Sequence, residues 1–298
     1  CEAGNSPTTP ALAPGASEQS PTRRSEIASG EEHRPRNDMV TTMPWNPNQY
    51  HKFQAERAAP FYDLLALVDV RPHLKVIDLG CGTGELTRQL ADKLPNSDVT
   101  GLDSSQEMLD AARAASRFAS TPGLVFTKGD QSTLTGAWDL IFSNAALQWS
   151  ENHTELIPYL FDKLKPGGQL AVQIPSNHNH ISHQIYRETA NEELFKFILN
   201  GYQRYAPVLS IDDYARIFFN CGAENIVVFE KIYPHVLEDS DAVVEWISGT
   251  ALVPYFERLG EHKDAFLQSI REKMHAAMPD SPVFYPFRRI LFSASKPN

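Results

Sequence analysis

The sequence predicts an α/β protein built on one largely parallel sheet with a helical lid, and three observations point there. Short apolar runs alternate with amphipathic helical stretches from Leu74 to Ile174, the pattern of parallel βαβ units. The first two runs end in acids, Asp78 and Asp103, and a glycine loop, Gly80-Cys81-Gly82-Thr83-Gly84, follows the first at once. Beyond Pro175, strands recur only after long helical stretches. Those stretches read as insertions over one sheet rather than as a second independent domain.

The elements follow in order. Leu74 to Leu79 is a buried strand. Glu85 to Leu94 is a helix, with Leu86, Leu90 and Leu94 on one face. Asp98 to Asp103 is the second strand. Ser104 and Glu107 form a capping box that opens a helix to about Arg117. Leu124 to Thr127 and Trp138 to Ser143 are the third and fourth strands. Glu155 to Leu164 is a helix, stopped by Lys165-Pro166-Gly167-Gly168, and Gln169 to Ile174 is the fifth strand. Residues 182–220 are mostly helical in character. Ile226 to Ile232 is a strand, Asp241 to Ala277 is helical, and Arg288 to Ser293 is the last strand. The insertions fall at about 178–220 and 238–280 of a single domain over 43–298.

Residues 1–42 differ in kind. They are rich in Pro, Ser, Thr, Gly and Ala and poor in large apolar residues, so they cannot bury enough surface to offset their ordering entropy. A disordered tail is expected. It has no apolar core of a signal peptide. Cys1 in place of Met reads as a fragment or an upstream start in preference to a lipidated mature terminus.

Composition narrows the partners. The 298 residues carry 27 Lys and Arg against 37 Asp and Glu, a net charge of −10. Such acidity argues against nucleic acid, whose affinity rests on cations at phosphates, and against an anionic membrane surface. No uninterrupted apolar run is long enough to span a bilayer. Three cysteines are too few for a disulfide framework, so a reduced, cytoplasmic setting is expected, with a small molecule as partner and a monomer as the form.

The glycine loop carries the chemistry. It lies between a strand and a helix whose first amides point at a ligand. Dinucleotide enzymes use G-x-G-x-x-G there, against a pyrophosphate. This loop is one residue shorter and is preceded by Asp78, which would repel a pyrophosphate and suits a cationic ligand. Asp103 is placed to accept from two ribose hydroxyls. A ribose, no pyrophosphate and a positive charge describe S-adenosyl-L-methionine (SAM).

The Asp78-Leu79-Gly80-Cys81-Gly82-Thr83-Gly84 loop, Asp103 and Gly129-Asp130 resemble motifs of class I SAM-dependent methyltransferases. The resemblance implies a Rossmann-like, doubly wound, seven-stranded sheet, mostly parallel with its last strand antiparallel. More narrowly, Trp45-Asn46-Pro47-Asn48-Gln49-Tyr50, Asn144-Ala145-Ala146-Leu147-Gln148-Trp149, Val253-Pro254-Tyr255 and Pro286-Phe287-Arg288-Arg289 are similar to segments of trans-aconitate 2-methyltransferases. By that resemblance Gly80, Gly82 and Gly84 line the methionine part of SAM and Asp103 holds its ribose. Asp130 accepts from the adenine amine with Gln131 beside it, Asn144 meets the amino acid end, and Tyr50 lies over the cofactor. Val253 departs from an arginine common in the family.

The implied reaction is methyl esterification of a small polycarboxylate, for which trans-aconitate is the leading substrate. Other acids (fatty, isoprenoid or carrier-bound malonyl) are the alternative. A nicotinamide dehydrogenase and a binding role without catalysis are the remaining readings. Trp149, through its indole N–H, and Arg57, through a carboxylate fork, are the expected substrate contacts. Arg288 and Arg289 point to opposite faces of a strand, so at most one reaches the pocket. Tyr255 is a weaker candidate. His178, His180 and His183 match no zinc spacing, and His153 is expected at the surface. A helix start beside Cys81 could lower its pKa, but its small size is the simpler reason for its presence.

Overall fold

The computed structural model describes residues 54–116 and 121–298, with side chains from Ala58 onward. The expected tail over 1–42 and Tyr50 lie outside the described residues. Arg57 falls within the first described helix, but its side chain is outside them.

The elements are α1 (Gln54–Leu65), β1 (Lys75–Leu79), α2 (Glu85–Lys93), β2 (Asp98–Asp103), α3 (Gln106–Ser116), β3 (Leu124–Lys128) and β4 (Trp138–Asn144). They continue with α4 (His153–Asp162), β5 (Leu164–Pro175), α5 (Ile181–Ala190), α6 (Glu193–Ile198), α7 (Ile211–Asn220) and β6 (Glu224–Leu237). The last are α8 (Ser240–Ser248), α9 (Val253–Leu259), α10 (Lys263–Ala277) and β7 (Val283–Ser295). The seven strands form one sheet in the order β3-β2-β1-β4-β5-β7-β6. Strands β1 to β5 are parallel, and β7 runs antiparallel between β5 and β6.

Both faces of the sheet are covered, as a doubly wound sheet requires. On one side Leu156, Ile157, Leu160 and Phe161 of α4 pack with Tyr214 and Phe218 of α7 over Ile141, Val172 and Phe292. On the other, Phe61 and Leu64 of α1 and Leu90 of α2 pack over Val76, Phe142 and Leu291. Strand order reverses between the adjacent strands β1 and β4, with β2 and β3 laid out beyond β1 and β5 beyond β4. A crevice at such a switch point is where ligands bind in open α/β sheets.

Several local expectations change. The capping residue of α3 is Ser105, whose Oγ accepts from the Met108 N–H at 3.3 Å, because Ser104 is held in the loop that leaves β2. The Lys165-Pro166-Gly167-Gly168 run does not separate helix from strand. The α4 helix ends at Asp162, and β5 begins at Leu164 with a register shift between Trp138 and Leu140. The run is a bulge inside a strand, where Pro and Gly are tolerated.

The last strand is longer than its apolar run suggested. Strand β7 pairs with β6 from Ser295 to Val283, whereas β5 reaches only Arg289. Residues 283–288 and 232–237 therefore run on as a two-stranded arm past the carboxyl edge of the sheet. Along the arm Val283, Tyr285 and Phe287 are buried while Phe284 is exposed, the alternation of a strand with one covered face. That face seats the lid: Tyr186 of α5, Phe195 of α6, Trp246 of α8, Tyr255 of α9 and Phe266 of α10 form a separate core with it. Edge-on ring pairs such as Tyr186–Tyr255 at 5.6 Å and Phe195–Phe266 at 5.1 Å fix these helices, each adding about 1 kcal/mol beyond burial.

Candidate functional site

The glycine loop is tied to the tip of β2. The N–H groups of Gly80 and Cys81 both donate to the Leu102 carbonyl, at 2.7 and 3.0 Å. The Asp103 carboxylate faces the loop: Oδ2 accepts from the Gly82 N–H and Oδ1 from the Ser105 N–H, each at 2.8 Å. Each oxygen keeps a lone pair for a ligand. Gly80 has a φ of +73°, and a Cβ there would overlap the Ala146 methyl, so no other residue fits without displacing the turn after β4. Gly82 is different. A Cβ on it would meet nothing within 4 Å, so the loop's backbone lines open space.

Asp78 sits beneath the loop, buried, with the Thr87 hydroxyl donating to Oδ2 at 2.6 Å. Burial pushes its pKa up to about 7 and the nearby Asp103 charge adds to the rise, while the Thr87 hydrogen bond opposes it. A cation placed alongside would return Asp78 to the ionised form. Cys81 follows the simpler expectation. Burial, then the charges of Asp78 and Asp103, raises its pKa against any pull from the helix start. The thiol is inert packing.

The rest of the strand tips line up beside the loop. The Asp130 Oδ1 accepts from the N–H and Oγ of Ser132, at 2.7 and 2.5 Å. This caps a turn of 3-10 helix over Gln131–Thr133 and leaves the second carboxylate oxygen outward. Gln131 Nε2 donates to Ser150 Oγ at 2.5 Å, tying this turn to the one that carries Trp149. Asn144 ends β4, where its Oδ1 accepts from the Gln173 amide at 2.9 Å, and the Gln173 oxygen accepts from Arg289 Nη1 at 3.1 Å. Gln148 Oε1 is buried without a partner among the described residues, an acceptor available to a ligand.

The lid side holds the cations. Trp149 is 38% exposed, so it is a surface of the crevice rather than core. The Arg204 guanidinium stacks on its ring, 4.0 Å from the centroid. The helical character of residues 182–220 gives no sign of Arg204, because 201–210 is an irregular strap between α6 and α7. The available signal was an arginine between Tyr202 and Tyr205. Tyr255 is fully buried, and its hydroxyl accepts from the Arg204 backbone N–H at 3.0 Å.

Arg288 and Arg289 do diverge. Arg288 pairs outward with Glu230 at 2.9 Å, and Arg289 is buried with its guanidinium 4.4 Å from the Phe287 ring. His153 is not at the surface. It is 1% exposed, because both ring nitrogens are engaged. Nε2 donates to the Leu147 carbonyl at 2.9 Å, so Nδ1 accepts from the Tyr214 hydroxyl at 2.6 Å. The same phenol oxygen accepts from the Leu209 N–H at 3.3 Å. Among the described residues no group of three or more His, Cys, Asp or Glu could hold a metal ion.

Comparison with known proteins places this geometry. A family model described as "Methyltransferase domain" matches residues 71–218. The chain is 46% identical over 262 residues to a trans-aconitate 2-methyltransferase of Deinococcus radiodurans, covering 86% of this chain and 99% of that one. It is 38% identical over 278 residues to a trans-aconitate 2-methyltransferase of Streptomyces avermitilis, covering 87% and 99%. Among solved structures, the YcgJ protein of Bacillus subtilis superposes with a TM-score of 0.55 at 11% identity, covering 81% of this chain and 99% of that one.

Proposed function

Because the chain belongs to the family of trans-aconitate 2-methyltransferases, which are class I SAM-dependent enzymes, we propose that it transfers a methyl group to a carboxylate of trans-aconitate. The observation that carries this reading is 46% identity to one such enzyme over 99% of that enzyme's length. No helix among the described residues is long and apolar enough to cross a membrane. A cytoplasmic, monomeric enzyme without nucleic-acid partners completes the reading.

The residues suit the cofactor. Gly82 presents backbone to open space while Gly80 closes the turn against Ala146, Asp103 offers two lone pairs to the ribose, and Asp130 offers its second carboxylate oxygen to the adenine amine. Asp78 is the counter-charge for the ammonium end, with Asn144 near it. SAM held by these residues would supply an electrophilic methyl, and a carboxylate oxygen accepting it would need no proton removed. The chain therefore needs no general base, since a carboxylate with a pKa of about 4 is already ionised at neutral pH. What the residues contribute is alignment, worth roughly 7–11 kcal/mol when the geometry is near attack. Trp149, at the crevice, can donate from its indole N–H to the substrate, and Arg57 can add a carboxylate fork from α1.

Methyl ester formation measured by mass spectrometry over a panel of acids tests the reading. A monomethyl ester of trans-aconitate is expected. Absence of turnover on every polycarboxylate, with esterification of a fatty or isoprenoid acid, would reject it.

A further inference from the structure

The lid gathers positive charge around one spot and leaves it unopposed. Arg204 lies over Trp149 at 4.0 Å, and Arg187 of α5 lies 5.9 Å from the Tyr186 ring. The two guanidiniums flank the same phenol, and both counter the rise that burial imposes on it. Tyr186, Tyr202 and Tyr255 surround Arg204, with ring pairs at 5.6 Å for Tyr186–Tyr255 and 5.3 Å for Tyr202–Tyr255. These rings desolvate the guanidinium. Among the described residues no carboxylate lies within ion-pairing distance of Arg204. Glu230, which acts on His178 of this wall, is already engaged by Arg288 and by Ser176.

His183 stands in the same cluster, its ring 5.3 Å from Tyr186. Burial pushes its pKa down to about 3, and His180, Arg187, Arg204 and His178 push in the same direction. The His178 Nδ1 is buried without a partner among the described residues. A desolvated cation held without a counter-ion is costly. It persists where an anion is meant to supply the missing partner.

We propose that Arg204, held against Trp149 and flanked by Arg187, is the anchor for a carboxylate of the substrate other than the one that is methylated. The inference rests on the polycarboxylate reading above and adds its specificity determinant. Trp149 lies three residues from Ala146, which abuts the glycine loop at Gly80. An acid fixed on Arg204 therefore extends a second carboxylate toward the methyl donor. A planar fork suits this task, since it fixes direction as well as charge.

Two readouts on the full chain test the anchor. Titration calorimetry of trans-aconitate into protein saturated with S-adenosylhomocysteine measures binding alone, and methyl ester formation measures turnover. Arg204→Met is expected to weaken trans-aconitate binding about 100-fold, the loss of two charge-assisted hydrogen bonds. Arg204→Lys restores part of it, and S-adenosylhomocysteine affinity stays unchanged in both variants. Equal trans-aconitate affinity in wild type and Arg204→Met would overturn the anchor, as would failure of the wild type to bind any polycarboxylate. Tight wild-type binding that depends on Arg204 but yields no ester would leave the anchor standing and reject methyl transfer to that acid.

Discussion

The two walls of the crevice are built by different means. The glycine-loop wall comes from residues 78–105, with Asp130 and Asn144 added at neighbouring strand tips, and it is held by backbone groups. Leu102 O takes two N–H bonds, and Asp103 takes two more. The lid wall is assembled from Trp149, the 201–210 strap, Tyr186, Tyr255 and Arg289, which are far apart in the chain, and it is held by side chains. Stacking of Arg204 on Trp149 and the Tyr255–Arg204 bond are its joints. A wall of backbone tolerates change of side chain, and a wall of side chains can be retuned position by position. On the proposed reading this difference gives the cofactor wall rigidity and the substrate wall its selectivity.

The sharpest way to break the first wall is Gly80→Ala. The substitution combines a left-handed backbone, costing about 1–2 kcal/mol, with overlap at Ala146, costing about 1–3 kcal/mol. Stability should fall by roughly 2–5 kcal/mol in denaturant titration, with loss of S-adenosylhomocysteine binding. Gly82→Ala meets nothing within 4 Å, so it should cost only the backbone part while obstructing the ligand. If both variants bound the cofactor like wild type, the loop would not be the cofactor wall.

The same contrast explains what the sequence revealed. The loop and the two strand-end acids could be read because their geometry is set by neighbours within a few residues, with signals such as closely spaced glycines and Asp at the ends of apolar runs. The parting of Arg288 and Arg289 was legible for the same reason, through strand alternation. Arg204 was not. Its position depends on Tyr255 and Trp149, each about fifty residues away, and no local period encodes such a contact. His153 was misplaced because its burial requires Tyr214, on a helix 61 residues later.

That histidine sharpens the second wall. His153 joins the Leu147 carbonyl, in the turn that carries Trp149, to the Tyr214 phenol that holds the strap at Leu209. His153→Phe removes one of two bonds to the Leu147 carbonyl, which keeps the Ser150 N–H, and leaves the buried Tyr214 hydroxyl hydrogen without its acceptor, so stability should drop by roughly 1–3 kcal/mol. As a positioning residue it should raise the KM for trans-aconitate more than it lowers kcat, with cofactor affinity unchanged. Its proton behaviour has a definite sign. Burial lowers its pKa in the fold, so the unfolded chain takes up the proton first, and the stability it contributes is lost as pH falls below about 6.5. Acid unfolding of wild type should be steeper than that of His153→Phe below that pH.

Asp78 has the opposite sign, on the opposite wall. Its carboxyl is raised from 3.8 to about 7, so the apo fold favours the protonated form. Stability from this group declines as pH rises from about 4 to 7, by about 1.4 kcal/mol per unit at most. A cationic cofactor favours the ionised form, so SAM affinity should climb over the same interval and level off above pH 7. Asp78→Asn should flatten both curves, giving a protein more stable at pH 7 than wild type but weaker in SAM binding by calorimetry. A wild-type SAM affinity independent of pH between 5 and 8 would separate Asp78 from the cofactor.

The smallest expected effect is also the cleanest divider between inward and outward positions. Arg288→Ala removes an exposed pair with Glu230, at 2.9 Å and with side chains 45% and 31% exposed, a geometry that contributes under about 1 kcal/mol. The strand is unaffected, because the bond from Arg288 N–H to Asn177 Oδ1 is made by backbone. Kinetic constants for trans-aconitate should match wild type. Arg289→Ala, one residue on, removes a buried cation that faces Phe287 and Gln173. Its absence frees the amide that aligns Asn144 at the end of β4, so it should weaken the cofactor as well as the fold. Comparable effects from the two substitutions would mean that strand alternation does not sort the arm into a face toward the crevice and a face toward water. The placement of the lid on that arm would then need another cause.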